Sequence, residues 1–312
     1  MKIGLDVMGG DYAPEAIIEG AVDSLAHLSP NDRLVMIGDR EAILRKMAGM
    51  GADPSLVDIL NTTQVIEMGD VPSKAYSQKQ DSSIAVGYRM LKDNEIDGFC
   101  SAGNTGAMMV GATYTVNVTP GVIRPALALI VPSIDNRHSV LLDVGLNPDT
   151  KPDVLCQYGI LGSIFAKYVL EIKNPVVKLL NIGEEESKGT PSLKSAFELL
   201  RECSQINFGG NVEANHLFRE TMPDVIVCDG FVGNVIVKQT EALHHIFVSR
   251  NYKDPYFDSL DPENIGGTPI VGINANVVVG HGVSKRKAVM NMILQTWAVV
   301  HADLARKIKE DI

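Results

Sequence analysis

The sequence predicts an α/β fold around a mixed, mostly parallel sheet. Two observations carry this. Short apolar runs alternate with helix-period stretches from the first residue onward, the pattern of strands joined by crossover helices. The runs ALALIV and SVLLDV are joined only by PSIDNRH, too short a connection for a parallel crossover, so one antiparallel pair is expected.

Each element follows from its local pattern. KIGLDV (2 to 7) is an apolar run of strand length, and Pro14 suits the first turn of an amphipathic helix reaching about residue 28. RLVMIG (33 to 38) repeats the unit, with Asp39 as N-cap of a helix over 40 to 49. Apolar runs place further strands at 57 to 60, 97 to 101, 126 to 131, 138 to 143, 176 to 181 and 224 to 228. Helical periodicity places helices at 81 to 92, 105 to 117, 152 to 170, 191 to 203, 231 to 249 and 285 to 309. Between 250 and 268, Pro255, Pro262 and Gly266-Gly267 oppose a long helix.

Composition bounds the class. The chain has 312 residues, 45% hydrophobic and 21% charged, with 28 basic against 38 acidic side chains and a formal net charge of -10. At roughly 150 residues per domain this suggests two domains. No flexible linker separates them, so intimate subdomains are expected at 1–118 plus 285–312 and at 119–284. Cys100, Cys156, Cys203 and Cys228 are too widely spaced for a CxxC metal or redox pair, which fits a reducing compartment. Asp6 interrupts what would be a signal-peptide core, and no apolar run reaches the roughly 18 residues of a membrane span, so a cytoplasmic protein is expected. The acidic balance argues against broad nucleic-acid binding; an anionic partner has to be met by a local basic patch.

In parallel sheets, ligands bind at the carboxyl ends of strands. The polar or glycine-rich turns DVMGGDYAP (6 to 14), CSAGNTGAMM (100 to 109), DVGLN (143 to 147), NIGEEESKGTPS (181 to 192), CDGFVGN (228 to 234) and VGHGVSK (279 to 285) all follow apolar runs. Glycine lets backbone N–H groups approach a ligand, and a first helical turn leaves donors unpaired at the positive end of the dipole, so such turns suit phosphate. One alone is no more than a helix start; the recurrence is the signal. With Ser284 as N-cap, Lys285, Arg286 and Lys287 fall in a first helical turn, where the dipole disfavours cations by roughly 0.3 to 1 kcal/mol each unless an anion is near. The residues leave this open between a solvated basic end and a docking patch. His281, between glycines, is open between a structural and a catalytic role. Lys188, after the acids Glu184 to Glu186, belongs either to a solvated loop or to the same cleft as the turns at 101–106 and 229–234.

What is absent also constrains the chemistry. There is no GxSxG elbow, no Walker A sequence and no dinucleotide fingerprint, and no histidine stands at a metal-binding spacing. Cys100 and Cys228 read as buried strand ends.

DVMGGDYAPE, SAGNTGAMM, Arg124-Pro125-Ala126, LLDVGLN, LLNIGEEESKG, GNVEANH, CDGFVGNV and GGTPIVGIN with HGVS occur in collinear order over nearly the whole chain. Together they resemble the bacterial acyl-acyl carrier protein:phosphate acyltransferases, the PlsX family. The resemblance implies a three-layer α/β/α fold similar to isocitrate and isopropylmalate dehydrogenases and to phosphotransacetylases, with two subdomains around a cleft, and a homodimer. It implies reversible transfer of a long-chain fatty acyl group from acyl carrier protein to inorganic phosphate, with no cofactor and no metal. The acyl phosphate then feeds a membrane glycerol-3-phosphate acyltransferase in phospholipid synthesis.

On this resemblance, phosphate is expected at the turn of Ser101, Gly103, Asn104, Thr105 and Gly106, helped by Gly9, Gly10, Asp11 and His281. Lys188 and Asn234, with Gly233 beside it, are expected to stabilise charge on phosphate and the tetrahedral intermediate. Asp143, Asn147 and Asp229 are expected to orient or cap. Lys285, Arg286 and Lys287 are the candidates for carrier-protein docking. The helix at 152–170 offers Gly159, Gly162 and Ser163 as a small-residue dimer face.

Two departures from the family pattern stand out. Leu146 occupies a position that is usually alanine and is expected to reshape the acyl channel. The segment 250–265 is shorter and more acidic than the basic, apolar helical segment usual there, so intrinsic membrane binding is expected to be weak. The alternatives are a phosphotransacetylase-like enzyme using acyl-CoA, a metal- and NAD(P)-dependent decarboxylating dehydrogenase, and a carrier-protein-binding regulator. For the dehydrogenase, Asp254 and Asp258 are the tempting acid pair, and Pro255 argues against it.

Overall fold

The computed structural model describes residues 1–312. Up to Val118 the chain forms β1 (Lys2–Asp6), α1 (Glu15–Ser24), β2 (Arg33–Gly38), α2 (Arg40–Gly49), β3 (Val57–Asn61), α3 (Pro72–Gln78), α4 (Ser83–Lys92), β4 (Gly98–Ser101) and α5 (Thr105–Tyr114). Then come β5 (Ala126–Pro132), β6 (His138–Leu142), α6 (Pro152–Tyr168), β7 (Val176–Asn181), α7 (Pro191–Glu202), β8 (Asn207–Glu213), β9 (Val225–Val227), α8 (Gly230–Ser249) and α9 (Pro255–Ser259). The chain ends with α10 (Pro262–Ile265), β10 (Gly267–Val271), β11 (Asn276–Gly280), α11 (Arg286–His301) and α12 (Leu304–Asp311).

The architecture is the three-layer α/β type with a mixed, mostly parallel sheet, and the chain divides into two compact units. The first comprises Met1–Val118 and Pro262–Ala305, the second Thr119–Asp261 and Arg306–Ile312. In the first, the strand order is β3-β2-β1-β4-β11-β10, all parallel except β10 against β11. In the second it is β5-β6-β9-β7-β8, parallel except for the expected antiparallel pair of β5 with β6. Strands such as β1 and β9 are buried along nearly their whole length, as the near-continuous apolar runs of a covered parallel sheet require. α1, which buries Ile17, Ile18 and Ala21, packs against α11, which buries Val289, Met292 and Ile293.

Several sequence expectations change. Residues 262–284 belong to the first unit, because β11 pairs with β4 and β10 with β11. The structure adds β8, β10 and β11 to the strands expected from the sequence. The single helix expected at 285–309 is two, broken at Asp303, whose φ of 52° lies in the left-handed region that aspartate tolerates better than most residues. Asp39 caps α2 as expected, accepting from the N–H of Ala42 at 3.0 Å. The small residues of α6 are not a free face. Gly159 is packed so that a Cβ would lie 2.7 Å from Leu200, and one at Gly162 would collide with Val225, both within the second unit.

Candidate active site

In the first unit, β1, β4 and β11 are adjacent and parallel, so their carboxyl ends deliver residues 7–11, 101–106 and 281–285 to one sheet edge. The turns touch through their backbones. The N–H of Asp11 donates to the carbonyl of Gly282 at 2.8 Å. Gly9 lies against Gly103, whose Cα would be 2.7 Å from a Cβ at Gly9. Gly9, Gly10, Asp11, Ser101, Gly103, Asn104, Thr105, Gly106 and His281 are therefore gathered at this edge.

The knot inside it is Asp6, which in the sequence stands out only as an interruption of an apolar run. Its fully buried carboxylate accepts from Ser101 Oγ at 2.6 Å and from the N–H of Met8 at 2.9 Å. Burial pushes its pKa up, and hydrogen bonds from Ser101, Ser83 and the Met8 and Gly9 backbone pull it partly back. Ser101 Oγ also accepts from the N–H of Gly103 at 2.9 Å. Asn104 caps α5 through Ala107 at 3.0 Å, while its Nδ2 donates to the carbonyls of Glu67, Met68 and Asp70 at 3.1, 3.2 and 3.2 Å. The side chains of Ser101 and Asn104 thus shape the turn. The groups that suit an anion are the first-turn N–H donors of α5 at Thr105 and Gly106, at the positive end of the helix dipole. His281 is exposed, with Nδ1 accepting from the N–H of Val283 at 3.4 Å.

The basic helix start differs from expectation. Ser284 is buried and its N–H donates to the carbonyl of His281, so α11 begins at Arg286 with Lys285 as an N-cap that makes no side-chain cap bond. The anions that offset the dipole belong to the protein itself. Asp23 takes Arg286 bidentately, at 2.5 Å from Nε and 2.7 Å from Nη2, and Glu263 accepts from the N–H of Ala288 at 3.2 Å. Lys285 Nζ sits 5.5 Å from the ring centre of Tyr12. A depression of about 400 Å³ is lined by Asp23, Glu263, Lys285, Arg286, Lys287 and Met290.

In the second unit, the adjacent parallel strands β6, β9 and β7 bring Asp143, Asp229 and the loop of Lys188 to one edge. Asp143 is fully buried. Its Oδ1 accepts from the N–H groups of Leu127 at 3.0 Å and Leu146 at 3.2 Å, and its Oδ2 from the N–H of Asn147 at 2.6 Å and Asn147 Nδ2 at 3.1 Å. Asp229 caps α8 through Val232 at 2.8 Å. Gly233 has no room for a side chain, since a Cβ would collide with the Asp143 carbonyl oxygen. Asn234, the next residue, is exposed, as is Lys188, whose Nζ lies 3.9 Å from Glu185.

Asn181 and Asn211, quoted in the motifs but given no role there, hold the loop of Lys188 from beneath. The buried Cys100 and Cys228 are poor nucleophiles. Burial pushes Cys100 up to about 12 and raises Cys228 as well. Asp254 is engaged as the N-cap of α9, through Tyr256 at 2.9 Å and Phe257 at 3.4 Å. No group of three or more His, Cys, Asp or Glu is gathered as a metal cluster. The turns of the first unit offer backbone donors, and those of the second offer the exposed Asn234 amide and Lys188 ammonium groups.

Comparison with known proteins accords with this. A family model described as fatty acid synthesis protein matches residues 1–307. A phosphate acyltransferase from Caldicellulosiruptor saccharolyticus is 39% identical over an alignment covering 100% of this chain and 98% of the relative. That alignment spans 331 positions, more than this chain's 312 residues, so the relative carries stretches this chain lacks. Among solved structures, the EutD phosphotransacetylase from Staphylococcus aureus superposes with a TM-score of 0.67 at 16% identity, covering 96% of this chain and 94% of its own. A putative 4-hydroxythreonine-4-phosphate dehydrogenase from Salmonella typhimurium gives 0.59 at 13% identity, covering 96% and 99%. At such identities the likeness speaks for the fold alone.

Proposed function

The chain belongs to the fatty acid synthesis protein family, that of the phosphate acyltransferases, and from that premise we propose that its acyl donor is the phosphopantetheine thioester of acyl carrier protein, carrying a long-chain fatty acid. It is an acyltransferase that moves an acyl group to phosphate for lipid synthesis. A phosphate oxygen attacks the thioester carbonyl carbon, the carbonyl becomes an oxyanion, and the C–S bond breaks to release the thiolate, which takes up a proton. Because phosphate is itself the nucleophile, the protein's task is placement and charge. Placement alone supplies about 7 to 11 kcal/mol in favourable cases.

The observation that carries the phosphate end is the backbone contact among the turns at Gly9–Asp11, Ser101–Gly106 and His281–Gly282, with the start of α5 among them. Phosphate is assigned there. Lys188 and Asn234 are assigned to the charge that develops at the thioester carbonyl and on phosphate. Asp143, Asn147 and Asp229 act through the backbone they hold.

The deciding experiment is phosphate-dependent thiol release with acyl phosphate formation, comparing palmitoyl-acyl carrier protein with palmitoyl-CoA. Turnover with the carrier protein alone supports the reading, and equal turnover with CoA moves the enzyme to the phosphotransacetylase class. A stable carrier-protein complex without turnover would leave a binding regulator.

Carrier docking narrows to Lys285 and Lys287, since Arg286 is neutralised by Asp23. Reversing Lys285 and Lys287 to Glu is expected to raise KM for the acidic carrier protein several-fold, and the effect should shrink as salt rises. An unchanged KM at low salt would remove this face from the docking reading.

A homodimer remains part of the proposal, and α8 supports it: Val235, Leu243, Ile246 and Val248 are exposed on a helix that buries only Gly230 and Gly233. Sedimentation showing a monomer at all concentrations would exclude it. No helix is long and apolar enough to cross a membrane. We place the enzyme in the cytoplasm, reaching the membrane through a glycerol-3-phosphate acyltransferase that consumes its product. Robust co-sedimentation of the pure protein with liposomes would contradict this.

A further inference from the structure

We infer that Asn181 and Asn211 are positioning residues that hold the Lys188 loop in its working geometry, Asn211 being turned toward that loop by a glycine bulge in β8. The inference rests on the role proposed above for Lys188. β7 and β8 run parallel, with Val177 opposite Phe208 but Leu179 opposite Asn211, so β8 carries one extra residue in between. Gly209 and Gly210 take up that residue, Gly210 at a φ of 86°, which glycine adopts without steric cost. Without the bulge Asn211 would stand opposite Leu180 and point to the other face of the sheet. With it, Asn211 shares the face of Leu179 and Asn181.

Both carboxamides are buried, and both are committed to the loop. Asn181 Nδ2 donates to Asn211 Oδ1 at 3.2 Å and to the Lys188 carbonyl at 3.3 Å, while Asn181 Oδ1 accepts from the N–H of Ile182 at 2.8 Å. Asn211 Nδ2 donates to the Glu185 carbonyl at 3.0 Å. Gly189, at a φ of 90°, passes so close that a Cβ would lie 2.5 Å from Asn181 Oδ1. Residues 184–188 are exposed, and at 3.9 Å the contact of Lys188 with Glu185 is too loose and too solvated to fix the ammonium group. Its position comes instead from a backbone pinned at Ile182, Glu185 and Lys188 by two buried amides. A buried amide left unpaired is costly, which makes the pinning specific.

The test is a double-mutant cycle on the intact chain, with palmitoyl-acyl carrier protein and phosphate as substrates and thiol release as readout. Asn211→Asp keeps the size and the acceptor for Asn181 but removes the donor to Glu185. It is expected to lower kcat by about tenfold or more with the phosphate KM little changed, and to cause no further loss in a Lys188→Ala background, as residues acting as one unit do. Hydrogen exchange should accelerate at 182–189 and stay slow in β6, β7 and β9.

A kcat within twofold of the parent, the same fold-loss in both backgrounds, or faster exchange throughout those strands would overturn the inference. Should Asn211→Asp not fold, Asn181→Asp, which keeps the acceptor for Ile182 and loses both donors, is expected to behave alike. Failure of both to fold would make the pair structural and overturn the positioning role. Full turnover of Lys188→Ala alone would instead strike the reading of Lys188, and the inference with it. The cycle separates that case, because Lys188→Ala is measured on its own.

Discussion

Lys188→Ala and Asn234→Ala are each expected to lower kcat for acyl phosphate formation by about 100- to 1000-fold, the usual cost of removing one donor aimed at a developing charge. Both side chains are exposed, and neither is an N-cap. Their loss should therefore leave the thermal midpoint nearly unchanged. That separation makes the result interpretable. By contrast, truncating Asp143 would strip four hydrogen bonds from a buried carboxylate and unfold the turn itself. Steady-state kinetics with both substrates varied would distinguish the roles further. A group acting on the transition state lowers kcat and kcat/KM together, whereas one that binds phosphate uniformly raises its KM alone. Near-full turnover in either folded variant would remove that residue from the chemistry.

The parts of the fold that could be read in the sequence are those whose signal is local. β1, β2 and β7 are apolar runs, and Asp39 stands immediately before a periodic stretch. The antiparallel β5 and β6 pair was legible from connection length alone. β8 and β10 were not, because Gly209-Gly210 and Gly266-Gly267 look the same whether they end a strand, bulge it or open it. The break at Asp303 carries no glycine or proline to announce it.

The candidate site divides in the same way. Glycine-rich turns after strands were visible, and six of them pointed to an anion. The pairings that tie the turns together were hidden, because the partners lie far apart along the chain. Ser101 is 95 positions from Asp6, Asn211 is 30 from Asn181, and Arg286 is 263 from Asp23. In the basic helix start that reads as a docking patch, one of the three cations, Arg286, is neutralised by an acid that no local pattern could supply.

Gly9→Ala is expected to cost phosphate binding most severely, raising the phosphate KM by at least about tenfold. A Cβ at this position would collide with the Asp6 carboxylate and lie 2.7 Å from Gly103 Cα and 2.8 Å from Gly103 N. Backbone and a buried, hydrogen-bonded acid cannot give way as a flexible side chain does, so the turns after β1 and β4 must separate. Overpacking of this kind costs about 1 to 3 kcal/mol. Part of that cost will appear as a lower thermal midpoint, so activity alone cannot identify the cause.

Phosphate protection can identify it. Bound ligand raises stability by RT ln(1 + [L]/Kd), so phosphate should lift the midpoint of the parent protein and of Gly49→Ala, where a Cβ meets nothing within 4 Å. In Gly9→Ala the same phosphate concentrations should lift it little or not at all. If Gly9→Ala were protected as strongly as Gly49→Ala, phosphate would have to bind elsewhere than at the turns gathered around Asp6.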